Sequence, residues 1–150
     1  LHHHRNEVVN RRYVHGVGSS FPLLAAHPTD PFAAALGGAG SLLIAQDGPR
    51  LVDTPDFPEV AKPESLELAG ALDDLRANDD DRLDWFLISP AENFGKHAPG
   101  TARGHYRVAS DILLRDEHGV SEISGDDLAL AIVDEIERPT HHRTRFSVAY

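Results

Sequence analysis

Between residues 83 and 88 the chain reads Leu83-Asp-Trp-Phe-Leu-Ile88, and Ser89-Pro90 closes the run. The segment is apolar, aromatic and β-branched, and it is of strand rather than helix length. Such a run predicts a strand buried on both faces. Helical patterns flank it. On one side Leu68, Leu72 and Leu75 recur at i, i+4, i+7 with Ala71 beside them. Pro63 suits a first helical turn, and Glu64 puts negative charge where the helix dipole favours it. A helix over about 63–77 follows, ended by Asn78 and three aspartates. On the other side Ser124-Gly-Asp-Asp127 is a variant of the capping box. Leu128, Ile132 and Ile136 then line one face, flanked by Ala129 and Val133, with Asp134, Glu135 and Glu137 pointing outward. Arg138 suits the C-terminal dipole and Pro139 stops the helix. Last, Phe146, Val148 and Tyr150 alternate with Arg145, Ser147 and Ala149, the pattern of a strand with one wet face. Helices alternating with strands in this order give the α/β class.

The remaining segments are shorter. Gly37-Gly-Ala-Gly-Ser41 is a turn or loop. Leu42 to Ala45 reads as a short strand stopped by Asp47-Gly-Pro49, with Arg50-Leu-Val52 pairing back, and residues 53–62 form a proline-rich loop. Gly95, Pro99, Gly100 and Gly104 mark a long loop. After it, His105 to Val108 and Ile112 to Arg115 read as short strands, Glu117-His-Gly119 as a turn, and Val120 to Ile123 as a strand pairing back. A small β-hairpin excursion over 104–123 is thus expected. Residues 1–36 differ in character: prolines, arginines and no sustained period, with Val8-Val9 and Phe32-Ala-Ala-Ala-Leu36 the only short candidates, the latter a strand running into Gly37. The division is therefore an irregular segment 1–36, read as tag-derived, truncated or frame-shifted, and a structured part 37–150. The absence of methionine and the leading His2-His-His4 fit a fragment or an expression product.

With 150 residues the chain has one-domain length. Its net charge of −10 repels phosphate backbones and anionic membranes, so no nucleic-acid and no membrane partner is expected. The lack of cysteine excludes disulfides, thiolate catalysis and Cys-ligated zinc. No apolar run reaches membrane-spanning length, and the first residues do not read as a signal peptide, so a cytoplasmic protein is expected. The ten histidines show no metal-binding spacing: His141-His142 are adjacent, and His97 and His105 lie eight apart near Glu92. No metal site is expected. Gly18-Ser-Ser-Phe does not supply the Gly-x-Ser-x-Gly turn of a serine hydrolase. Gly38-Ala-Gly40 lacks a third glycine, Leu43 standing in its place, so phosphate loop, strand-end turn and plain turn all stay open for this segment.

Five segments in order carry a resemblance: Gly37-Gly-Ala-Gly-Ser-Leu42, Leu51-Val-Asp-Thr-Pro-Asp-Phe-Pro58, Asp84-Trp-Phe-Leu-Ile-Ser-Pro-Ala91, Ile123-Ser-Gly-Asp-Asp127 and Arg145-Phe-Ser-Val-Ala-Tyr150. From residue 37 to 150 the chain resembles the atypical short-chain dehydrogenase/reductases, the NAD(P)-dependent oxidoreductase or NAD(P)H-binding, epimerase-like group related to the biliverdin/flavin reductase B type and to NmrA-like proteins. The resemblance implies the C-terminal portion of a Rossmann-type parallel sheet, NAD or NADP as cofactor, and hydride transfer from the nicotinamide to a small-molecule substrate, with a homo-oligomer compatible with it. It implies Gly38, Gly40, Ser41, Ser89, Pro90 and Ala91 at the cofactor. Ser41 would orient a carboxamide or carbonyl, Lys62 would offer a charge, and Tyr106 would lie on the substrate side. The family's opening strand and Gly-x-x-Gly-x-x-Gly turn have no match in residues 1–36, where Gly16-Val-Gly18 lacks a third glycine, and its Tyr-Lys pair reads Ala61-Lys62. A non-catalytic NAD(P)-binding sensor, or an inactive fragment of such a reductase, is the competing reading.

Overall fold

The structure, a computed structural model, describes residues 32–150 and the backbone of Leu23–Ala26. Val8-Val9, Gly16-Val-Gly18 and the leading histidines lie outside the described residues. The strands are β1 (Leu23–Ala26), β2 (Phe32–Leu36), β3 (Asp84–Ser89), β4 (Arg107–Ala109) and β5 (Thr144–Ala149), and the helices α1 (Lys62–Ala77) and α2 (Gly125–Glu137). They form one five-stranded sheet in the order β1-β2-β3-β5-β4. β2, β3 and β5 run parallel, with Ala35 beside Leu87 and Leu87 beside Arg145, and the short edge strands β1 and β4 run antiparallel to their neighbours.

α1 links β2 to β3, and α2 lies between β3 and β5 in the chain. Because side chains alternate across a strand, β3 serves both helices. Trp85 and Leu87 pack with Ala35, Leu72 and Leu75 on the α1 face. Phe86 and Ile88 pack with Ala34, Phe146, Val148, Leu128 and Ala131 on the α2 face. This is the α/β architecture expected from the sequence, and both helices and the three inner strands β2, β3 and β5 fall within a residue or two of their expected bounds.

Four local readings are corrected. Leu42 to Ala45 is not a strand: Leu43 makes single bridges to Arg50 and Ile112, and Leu51–Asp53 is a 3-10 turn. A partner from residue 112 is invisible to local pattern. The 104–123 excursion is not a self-contained hairpin, because β4 pairs with β5 rather than with the segment that follows it; Asp116 and Val120 close the turn. The second face of β5 is dry, with Arg145, Ser147 and Ala149 all buried. Loops cover it: Ser147 Oγ donates to the Ile112 carbonyl at 2.8 Å. Finally, α2 is rotated from the expected face. Ala131 and Glu135 point inward, while Val133 and Ile136 are exposed. Glu135 tolerates burial because it accepts hydrogen bonds from the Thr140 amide at 2.7 Å, the His141 amide at 2.6 Å and the Thr140 hydroxyl at 3.1 Å.

Candidate functional site

Gly37 continues the ladder past β2, its amide donating to the Ile88 carbonyl at 2.9 Å. The chain then turns away from the sheet, as it does on the neighbouring strand at Pro90. Two adjacent parallel strands that diverge at their carboxyl ends leave a crevice, the usual ligand position of open α/β sheets. Here it is a cleft of about 600 Å3.

One wall is the glycine segment. Gly37, Gly38 and Gly40 line the cleft, and the packing behind them explains their identity. A Cβ on Gly37 would lie 2.4 Å from Leu87 Cδ2, and one on Gly40 would lie 2.8 Å from Ser65 Cβ. None of the three has positive φ among the described residues. The glycines bring the loop against β3 and α1, and they give the cleft a backbone wall. Phe57 is held over this wall by the small cluster of Leu42, Leu51 and Leu113.

The opposite wall is Pro90 to Phe94. The Glu92 amide donates to Ser121 Oγ at 3.2 Å and the Asn93 amide to the Ser121 carbonyl at 2.9 Å, so this loop is fixed against the strand-like segment before α2. Among the described residues the polar side chains of the lining are Glu64, Ser65, Glu92, Asn93 and His97, and no lysine or arginine lines it. Glu92 pairs with Arg115 at 3.1 Å, and Glu64 has no ion-pair partner among the described residues.

The expected site residues divide. Gly38, Gly40, Pro90 and Ala91 line the cleft. Ser41 and Ser89 do not line it, but they meet beneath it on one side chain. Arg145, 3% exposed, donates from Nη1 to Ser41 Oγ at 2.8 Å and to Ser89 Oγ at 3.2 Å, from Nη2 to the Ser41 carbonyl at 3.2 Å, and from Nε to Asp111 Oδ1 at 2.9 Å. Burial pushes its pKa down and Asp111 opposes that. Burial also works against the Asp111 charge, but Arg145 and Arg76 hold its carboxyl below the ordinary range. Lys62 lies outside the lining, with Nζ donating to Glu59 Oε1 at 2.6 Å. Tyr106 also lies outside it. Its hydroxyl donates to Asp134 Oδ2 at 2.6 Å, and burial together with that carboxylate pushes its pKa up to about 12.

Arg145 is the residue that pattern reading missed most plainly, since alternation placed it on a wet face. Phe57, Phe94, Glu64, Asn93 and His97 were also missed as lining residues; of these only Phe57 stood in one of the five segments that carry the resemblance. Among the described residues no three His, Asp or Glu side chains gather as a metal site would require.

No family model matches the chain. It is 37% identical over 114 residues to the uncharacterized protein YwnB of Bacillus subtilis, a match spanning 75% of this chain and 52% of YwnB. A solved structure from Streptococcus pneumoniae, described as a putative NADH-flavin reductase, superposes with a TM-score of 0.73 at 40% identity over 81% of this chain and 57% of that one. A putative epimerase from Bacteroides thetaiotaomicron superposes with a TM-score of 0.71 at 38% identity over 79% and 53%. The chain spans about half the length of the relatives it matches. The parallel order β2-β3-β5, the cleft at its carboxyl ends and these likenesses make the fold a Rossmann-type α/β sheet, shared with proteins described as a reductase and an epimerase.

Proposed function

We propose that this chain carries the ring-binding end of an NAD(P)-dependent oxidoreductase that reduces a small acceptor, of the atypical short-chain dehydrogenase/reductase type related to biliverdin/flavin reductase B and NmrA-like proteins. The observation that carries the reading is the cleft at the carboxyl ends of β2 and β3, with glycine backbone on one side and Pro90 and Ala91 on the other. A planar ring fits such walls; a pyrophosphate does not, because no cation lines them among the described residues. A nicotinamide held there would supply the hydride.

The chain's own residues bind, orient and exclude water. Gly38 and Gly40 let a ring approach the backbone, while Pro90, Ala91 and Phe57 shield it. Ser41 does not line the cleft and would orient the ring from beneath it, through its hydroxyl. A guanidinium can only donate, so Arg145 occupies a lone pair of Ser41 Oγ and leaves its one O–H free to donate to a carbonyl or carboxamide. Ser89 is fixed in the same sense below the floor. Lys62 would serve as a charge at the start of α1 after leaving Glu59, and Tyr106 as a wall on the substrate side. The compartment proposed is the cytoplasm, where a soluble nicotinamide cofactor is at hand; no helix among the described residues is long and apolar enough to cross a membrane.

Titration of the folded chain with NADH and NADPH, read by nicotinamide fluorescence and calorimetry, tests this. Micromolar binding of either is expected, and turnover with quinones, flavins or carbonyls should follow. No binding up to millimolar cofactor would sink the reading. Binding without turnover of any acceptor would favour a second reading, a non-catalytic NAD(P)-binding sensor. That reading draws on Lys62 and Tyr106, whose polar ends are spent on Glu59 and Asp134.

A further inference from the structure

We infer that one flank of α2 is a contact surface for a second copy of this chain, which packs on it as an antiparallel helix pair about a twofold axis. Gly125, Ala129, Ile132, Val133 and Ile136 recur at i, i+4, i+7, i+8 and i+11, and so lie along one side of the helix. It is not the side that faces the sheet, which carries Leu128, Ala131 and Glu135. Nor is it the opposite flank, where Asp134 accepts from the Tyr106 hydroxyl and Asp127 from the amides of Arg103 and Gly104. Val133 and Ile136 are 47% and 40% exposed, Gly125 and Ala129 are exposed, and Ile132 is half-buried at the root of the flank. The apolar surface continues onto the sheet, because Phe32 and Leu36 of β2 are also only half-buried against the core cluster that Ile132 joins.

A parallel sheet is ordinarily covered on both faces. On this face α2 is the one α-helix among the described residues, in a chain that spans about half the length of its relatives. The flank is complementary to itself. Its residues are small at the amino end (Gly125, Ala129) and large at the carboxyl end (Ile132, Val133, Ile136). A twofold axis passing between Ile132 and Val133 runs two such helices antiparallel. Ala129 of one copy then meets Ile136 of the other, small against large on both sides of the axis, as close packing requires. Gly125 adds room, since nothing lies within 4 Å of where its Cβ would be. A parallel pair would set large against large and leave a void between the glycines. No charged side chain interrupts this side of the helix from Ala129 to Ile136, so an apolar occupant fits it, and the antiparallel dipoles attract. One helix flank with the strip of β2 beside it buries less than the roughly 1,600 Å2 of a standard interface, which makes the dimer a weak one. None of the five residues lines the cleft, so this inference and the cofactor reading stand or fall separately.

Sedimentation velocity on the folded chain, from micromolar to millimolar concentration, tests it. Half-association is expected near roughly 0.1 mM. The double change Val133→Gln with Ile136→Gln keeps the net charge and suits a helix. It should weaken the dimer at least about tenfold while circular dichroism shows an unchanged fold. Because the chain has no cysteine, Val133→Cys beside the axis should yield a disulfide-linked dimer on mild oxidation, whereas Glu67→Cys, exposed on α1, should not. A chain that stays monomeric at millimolar concentration would overturn the inference. So would a dimer that the paired glutamine change leaves intact, or equal cross-linking from the two cysteine variants.

Discussion

At the scale of single residues, Arg145 decides most. It joins the loop leaving β2 (Ser41), the end of β3 (Ser89) and the loop after β4 (Asp111). Removing one partner of a buried charge network costs about 3–5 kcal/mol. The lower end applies here, because the Asp111 side chain is 46% exposed and keeps Arg76 at 2.8 Å. We expect Arg145→Ala to lower stability by about 3 kcal/mol in urea melts, and Arg145→Lys, which keeps charge but not the fork, to lose part of that. An unchanged midpoint for Arg145→Ala would show that the loops stand without it. Gly40→Ala is expected to cost about 1–3 kcal/mol by overpacking against Ser65, and to narrow the cleft so that binding of NADH or NADPH falls. Sequence made Gly37 to Ser41 legible as a turn. It could not show that the glycines answer to Leu87 and Ser65, which arrive from elsewhere in the chain.

Elements add local chemistry to this frame. α2 starts at Ser124, whose Oγ accepts from the Asp127 amide at 3.1 Å, as the sequence signature implied. Less visible in the sequence is that Asp127 turns back to hold the loop before β4. Its carboxylate accepts from the Arg103 amide at 2.7 Å and the Gly104 amide at 3.0 Å, and from the Tyr150 hydroxyl. The Tyr150 hydroxyl first, and these amides next, bring its pKa down to about 2. An unfolded aspartate titrates near 3.9. The stabilisation is therefore complete above about pH 5 and is lost as pH falls toward 2. Asp127→Asn should lower the Tm at pH 7 and flatten the acid limb of the Tm–pH curve over that window. An acid limb identical to the parent's would show that the carboxylate charge does not matter. On α1, Gly70 has open space where a Cβ would go, so Gly70→Ala should raise stability by roughly 0.5–1 kcal/mol through helix propensity. Both helices were legible because their period is local. The face of α2 was not, since Glu135 is drawn inward by Thr140 and His141 beyond the helix end, a contact that no hydrophobic period encodes.

For the whole molecule, the α/β class could be read, with β3 legible from its short apolar run, since a strand buried on both faces needs little else, and β5 legible from its alternation, which gave the strand but not its dry second face. The sheet order could not, because the pairings of β4 with β5 and of Leu43 with Ile112 join residues 38 or more positions apart in the chain. We expect native-state hydrogen exchange to be slowest at the amides of Phe86 to Ile88 and Phe146 to Val148, which are hydrogen-bonded between buried strands, and fastest within the sheet at the edge strands β1 and β4. Slow exchange confined to β4 would contradict the order described. One further property follows from where the single tryptophan sits. Trp85 is 1% exposed, between Ala35 on β2 and Leu72 and Leu75 on α1, and its indole nitrogen has no hydrogen-bond partner among the described residues. Its emission should therefore be short-wavelength and inaccessible to iodide in the native state. Any loosening of α1 from the sheet would shift that emission to the red, so the molecule carries its own optical gauge of the wall against which Gly37 to Gly40 are packed.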